Sequence, residues 1–157
     1  MTKIYSDDKV CPYSKTKIDP RTTKDEIEGL LARWGIKKVG WDWALDEGRC
    51  ILEFTYLESI GGVAVSQWIK VEPPIIWKRK STKRTGNQED IINWSISLRV
   101  LWWWLKSNLE MTYLAQSDKT TMFLPFIMNA KEKTLAQVLV PKITKQMLNV
   151  PSLEDLR

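Results

Sequence analysis

Between Lys70 and Arg84 the chain carries Lys70, Lys78, Arg79, Lys80, Lys83 and Arg84 against one carboxylate, Glu72. The excess of +5 equals the formal net charge of all 157 residues, so the basicity is a local feature and the rest of the chain is neutral on balance. A concentrated positive segment attracts phosphate, and Trp77 stands directly beside Lys78, Arg79 and Lys80. An aromatic ring among cations is what a base-stacking platform requires. Arg99 and Lys106, on the helical pattern that follows, would extend a groove for the same ligand. The competing reading is a solvated charged connection in which Trp77 anchors the loop to the core.

Other chemistries are closed or weakly supported. The chain has no histidine, which removes the commonest metal ligand and the commonest acid or base near neutral pH. Asp42, Asp46, Glu47 and Glu53 lie close enough in sequence to suggest an oxygen-ligand Mg²⁺ site, but their spacing fits solvated strand and turn carboxylates better than a nuclease. No catalytic residue, metal or cofactor is assigned, and the expectation is a binding protein, not an enzyme. Cys11 and Cys50 are read as free thiols, since two cysteines without histidine make a poor metal site and nothing directs the chain to an oxidising compartment.

The elements that must position these residues follow from periodicity. Residues 1–21, with Pro12, Pro20 and mixed charges, read as an irregular arm. Thr23 and Glu26 fit a capping box for a helix whose Ile27, Leu30, Leu31 and Trp34 share one face and which Gly35 stops. From Val39 the period changes to two. Val39, Trp41, Trp43 and Leu45 alternate with polar or small residues, a turn falls at Asp46, Glu47 and Gly48, and Arg49 to Leu57 alternate again. A second turn at Ser59, Gly61 and Gly62 leads to a third strand through Val63, Val65, Gln67, Ile69 and Val71, closed by Pro73 and Pro74. The prediction is a three-stranded antiparallel meander, then a basic loop at 73–87. A helix of about 40 Å from an Asn87 cap to Tyr113 follows. Short C-terminal helical elements come next, interrupted by Pro141, and residues 151–157 are a tail. The class is α+β, with one domain over residues 22–150.

Nine tryptophans are many for this length, and Trp102, Trp103 and Trp104 cover more than half the circumference of the long helix. Such a helix is either clamped between sheet and tail or buried in a homo-oligomer, and these three residues are the expected interface. The segments TKDEIEGLLARWGIKKVGWDW, ILEFTY, SISLRVLWWWLKSNLE and FLPFIM resemble a family of small uncharacterised proteins encoded by bacteriophages and bacterial mobile elements, over roughly residues 23–140. The shared features are the capped helix ending in Trp34 and Gly35, the series Arg99, Lys106 and Glu110, and the segment Phe123, Leu124 and Pro125. This chain departs from that pattern in its tryptophans and in the charge of its basic loop. The resemblance implies a phage-like origin and no particular reaction.

At the level of element order the chain is similar to single-strand annealing proteins, in which a meander and a long helix assemble into rings around DNA. The double-stranded-RNA-binding domain is a weaker likeness, because its second helix is shorter. Together these readings predict single-stranded nucleic acid, with DNA as the first candidate, as the partner of a homo-oligomer serving phage-like replication or recombination. The alternative is a protein-interaction factor acting through exposed tryptophans. With no apolar stretch long enough for a bilayer and no secretory signal, the expected place is the cytoplasm of a phage-infected or element-carrying prokaryotic cell.

Overall fold

The computed structural model describes residues 2–81, 88–129 and 131–148. Its architecture is α+β, built from two small three-stranded sheets and four α-helices among those residues. The elements are β1 (Ile4–Tyr5), α1 (Pro20–Arg33), β2 (Lys38–Ala44), β3 (Arg49–Ile60), β4 (Val63–Val71), β5 (Ile76–Ser81), β6 (Gln88–Ile92), α2 (Trp94–Leu114), α3 (Lys119–Phe123) and α4 (Leu135–Leu148). A single 3₁₀ turn, Leu124–Phe126, joins α3 to the tail.

Helix α1 begins earlier than the capping box at Thr23 suggests. Asp19 is the cap, its carboxylate accepting from the Arg21 amide at 2.8 Å, and Pro20 occupies the first turn, where its missing N–H costs nothing. Thr23 is instead fully buried within the helix. The expected stop holds: Gly35 has φ +79°, the Gly35 amide donates to Ala32 at 3.0 Å and the Ile36 amide to Leu31 at 3.0 Å. These two bonds satisfy the last carbonyls in a Schellman arrangement, which needs a left-handed residue and therefore favours glycine.

The meander is as the alternation predicts. β2 pairs antiparallel with β3, and β3 with β4. The β3–β4 link is a two-residue turn in which Gly61 and Gly62 both have positive φ, the hand that matches strand twist. Leu52, Phe54, Tyr56, Ile69 and Val71 point inward and are buried. They meet Ile27, Leu30 and Leu31 of α1, Leu98, Leu101, Leu105 and Leu109 of α2, and Phe123 in one continuous core. The other face of the meander carries Lys38, Gly40, Thr55, Ser66 and Trp68 outward.

The main departure lies between Pro73 and Asn93. Residues 76–81 and 88–92 are not a loop and a helix start but two strands, paired antiparallel from Trp77↔Ile92 to Ser81↔Gln88. The β-branched and aromatic run Ile75, Ile76, Trp77 and the pair Ile91, Ile92 are the local reason. Helix α2 therefore begins at Trp94 after Asn93, and its 21 residues span about 31 Å, not 40 Å.

The arm is likewise not irregular throughout. Ile4 and Tyr5 pair in parallel with Ile76 and Trp77, giving a second sheet in the order β1-β5-β6. Ile76 of this sheet is buried with Cys11 of the arm and Ile96 of α2, and its amide donates to Ser97 Oγ at 3.2 Å. Near the C-terminus, α4 runs through Pro141 instead of breaking there. The carbonyl that loses its donor belongs to exposed Gln137, where water can replace the bond. The expected tail at 151–157 lies outside the described residues.

Candidate nucleic-acid interface

Strand geometry divides the basic segment. Successive residues of β5 point to opposite faces, so Lys78 and Lys80 share one face with Ile91 and Glu89 of β6. Trp77 and Arg79 share the other with Ile92 and Asp90. Lys83 and Arg84 lie outside the described residues, in the connection between the two strands. The positive end of α2 is also remote in sequence, since β6 intervenes, so the segment does not adjoin a helix N-terminus as its place in the sequence suggests.

The Trp77 face is already engaged within the protein. Lys3 Nζ sits 4.5 Å from the centroid of the Trp77 ring and donates to Asp90 Oδ2 at 2.8 Å. Tyr5 Oη donates to the same carboxylate at 2.9 Å. Arg79 lies over the Tyr5 ring at 4.3 Å and reaches Asp7 at 3.5 Å. The hydrogen bond from Lys3, then that from Tyr5, hold the Asp90 carboxyl below its usual range, and the Asp90 bond raises Lys3. Trp77 is half-buried and Arg79 is ion-paired, so neither is a free contact in this arrangement.

Lys78 and Lys80 differ from Arg79. Both are exposed, and neither has an ion pair among the described residues, although Glu89 stands across the ladder from Lys80. The remaining expected cations are scattered and paired. Lys70 faces Glu53 at 3.7 Å on the meander, and Lys106 pairs with Glu110 at 2.6 Å while lying 5.5 Å from the Trp103 centroid. Arg99 bonds Glu26 of α1 and packs over Trp102 at 4.5 Å, with its side chain only 16% exposed. It ties α1 to α2 and does not extend a groove.

The tryptophan helix has intramolecular cover. Trp104 packs edge-on against Phe123 and Phe126, and Trp102 is half-buried beneath Arg99. Trp103 is exposed but stacked on Tyr13 of the arm, centroids 5.9 Å apart and planes 1° from parallel. The arm and the segment after α2 therefore supply contacts that the sequence leaves to either a tail or a second copy.

Carboxylates do not converge on a metal. Asp42 and Glu47 both pair with Arg49, at 2.7 and 3.3 Å, Glu53 pairs with Lys70, and no group of three potential ligands forms among the described residues. Cys11 and Cys50 are free, as expected; both are also buried, and burial pushes the Cys50 thiol up to about 12. No helix among the described residues is long and apolar enough to cross a membrane.

One exposed feature is absent from the sequence expectations. Trp68 is 37% exposed on the outer face of the meander, in a cross-strand row with Thr55 and Lys38. Its signal was present: Ile69 and Val71 alternate inward, which places Trp68 and Lys70 outward. The chain matches no protein-family model, no curated protein and no solved structure, so the phage-family resemblance rests on the residues themselves.

Proposed function

We propose that the protein binds single-stranded nucleic acid, with DNA as the first candidate, through cations presented by the β5–β6 hairpin. The observation that carries this reading is the pair Lys78 and Lys80. They are exposed on one face of a strand that is paired with β6 along its length, and no carboxylate neutralises either within ion-pair distance among the described residues. Two ammonium groups at alternate strand positions lie about 7 Å apart along the chain, a ladder suited to a polyanion and of no use to a buried core. Lys83 and Arg84 follow in sequence, outside the described residues. The family resemblance supplies a phage-like origin, and the likeness in element order to single-strand annealing proteins supplies replication or recombination as the setting.

Fluorescence anisotropy with labelled single- and double-stranded DNA and RNA, repeated across salt concentrations, tests the proposal. Binding that favours a single strand and weakens with salt supports it. Equal failure to bind all four at low salt sinks it.

A second reading, association with another protein or another copy, is favoured by Met111, Tyr113 and Leu114. They are 53%, 72% and 73% exposed together at the end of α2. Light scattering that gives a mass above 18.3 kDa would support that surface as an interface.

A further inference from the structure

We propose that the outer face of the β2–β3–β4 meander is a nucleobase-stacking site centred on Trp68, with the adjoining sugar-phosphate chain running over Lys37 and Lys38. The inference rests on the single-stranded nucleic-acid reading above and adds to it a second contact surface, on the other sheet.

The ring of Trp68 is set apart from those of the other tryptophans. Trp34 meets Tyr113, Trp41 and Trp43 meet each other, Trp77 lies under Lys3, and Trp102 and Trp104 have aromatic neighbours. Trp94 is buried and donates from Nε1 to the Leu45 carbonyl at 2.9 Å. Trp103 is as exposed as Trp68 but is stacked on Tyr13. Trp68 alone combines exposure with no aromatic or cationic partner among the described residues. A tryptophan 37% exposed, with no ring or cation over it, forgoes apolar contact that a planar ligand would restore.

Register supplies the room beside it. Trp68 pairs with Thr55, which pairs with Lys38, and directly paired residues project to the same side. In the next row Gly40 stands opposite Glu53 and Lys70, and the space where a Gly40 side chain would be has no atom within 4 Å. The result is an open hollow of about 410 Å³, lined among others by Lys37, Lys38, Gly40, Thr55 and Trp68. It continues past Thr55 into a cleft of about 300 Å³ that reaches Trp34 and Lys119.

Charge selects the occupant. Lys37 and Lys38 have no ion pair among the described residues, and the one carboxylate in the hollow, Glu53, is held by Lys70 at 3.7 Å. Strand addition by a peptide on the β4 side is disfavoured beside Trp68, because that part of the edge is already taken: the Met128 amide donates to the Trp68 carbonyl at 2.8 Å, and Ile127 bridges Ile69. What the face itself offers is a ring face and two ammonium groups. Single-stranded nucleic acid supplies the matching parts, an unpaired base with a π-face and a phosphate beside it, whereas a duplex keeps its base faces stacked inside.

The test uses the full chain with labelled oligodeoxythymidine and oligouridine, in three variants: Trp68→Ala, Trp68→Phe and the pair Lys37→Gln with Lys38→Gln. Trp68→Ala should weaken binding about 5- to 150-fold with an unchanged salt slope, and Trp68→Phe should recover most of it. The lysine pair should flatten the log-log salt slope by about 1.4. A preference between the two oligomers that persists when oligodeoxyuridine replaces oligodeoxythymidine assigns the sugar. Parental affinity in Trp68→Ala, with binding still lost in a Lys78/Lys80 variant, overturns this site and leaves the hairpin reading intact. A parent protein that binds neither oligomer removes both. Should Trp68→Ala unfold, a Trp68→Phe protein that folds yet loses as much affinity as a lysine-depleted one also counts against stacking.

Discussion

Replacing Lys78 and Lys80 together by Gln isolates the hairpin contribution. On one strand the two lysines are the cations free to meet phosphate, because Arg79, between them in sequence, points to the opposite face and is paired with Asp7. Each phosphate contact on a single strand contributes about −0.7 to the slope of log K against log salt, so the double variant should be flatter by about 1.4. Between about 50 and 200 mM salt the parent should then lose roughly 7-fold more affinity than the variant, a difference that anisotropy titrations resolve easily. Thermal stability should stay within about 0.5 kcal/mol of the parent, since both side chains are exposed and the Glu89 neighbour contributes little. Arg79→Gln is the informative control. It frees Asp7 and uncovers Tyr5, so it should loosen the N-terminal arm and lower the melting temperature while moving the salt slope less than the lysine pair does. A slope in the double variant identical to the parent's would refute the reasoning, because the pair that carries the proposal would then touch no phosphate.

Gly35→Ala should cost about 1–2 kcal/mol, since it forces a Cβ into a φ of +79° at the end of α1, and should lower the melting temperature by roughly 2–8 °C in a thermal scan. Above pH 9 the fold should weaken progressively: burial pushes both the Cys50 thiol and the Tyr56 phenol up to about 12, so the unfolded chain releases their protons first and denaturant midpoints should fall between about pH 9 and 12. A flat midpoint over that range would contradict the burial of both groups. At the acid end, Asp90 is held below its usual range by Lys3 and Tyr5, so the stability it lends is present above the ordinary carboxylate range. Falling pH should remove it, which amide exchange of residues 3–7 would report. Cys11 and Cys50 should resist a thiol probe in the native protein and react together once it is unfolded without reductant.

Local pattern was a good guide wherever one face of an element meets the core. The period-two runs of β2, β3 and β4 and the helical spacing of Ile27, Leu30 and Leu31 report burial directly, because each side chain's face is fixed by its distance along the chain. The stops at Gly35, Gly48, Gly61 and Gly62 were legible for a similar reason: each needs a positive φ, which marks a turn whatever surrounds it. The free state of the two thiols also followed from composition and was kept by the fold.

The second sheet was not available to that kind of reading. β1 is two residues long and becomes a strand only by pairing with Ile76 and Trp77, more than seventy positions away, so it carries no periodicity of its own. Without it, Ile76 to Ser81 read as part of a charged loop at 73–87, although fifteen residues without structure inside a compact domain are themselves a warning. Charge was misjudged for the same physical reason. The sequence places six cations within fifteen residues, but strand alternation separates Arg79 from Lys78 and Lys80, and non-local pairing brings Asp7 and Asp90 against the arginine side. The fate of the tryptophans was decided at the same level. Their number was visible from composition. That Trp103 would stack on Tyr13 while Trp68 finds no ring or cation partner among the described residues depends on which distant segments fold over each ring, and no spacing along the chain encodes that.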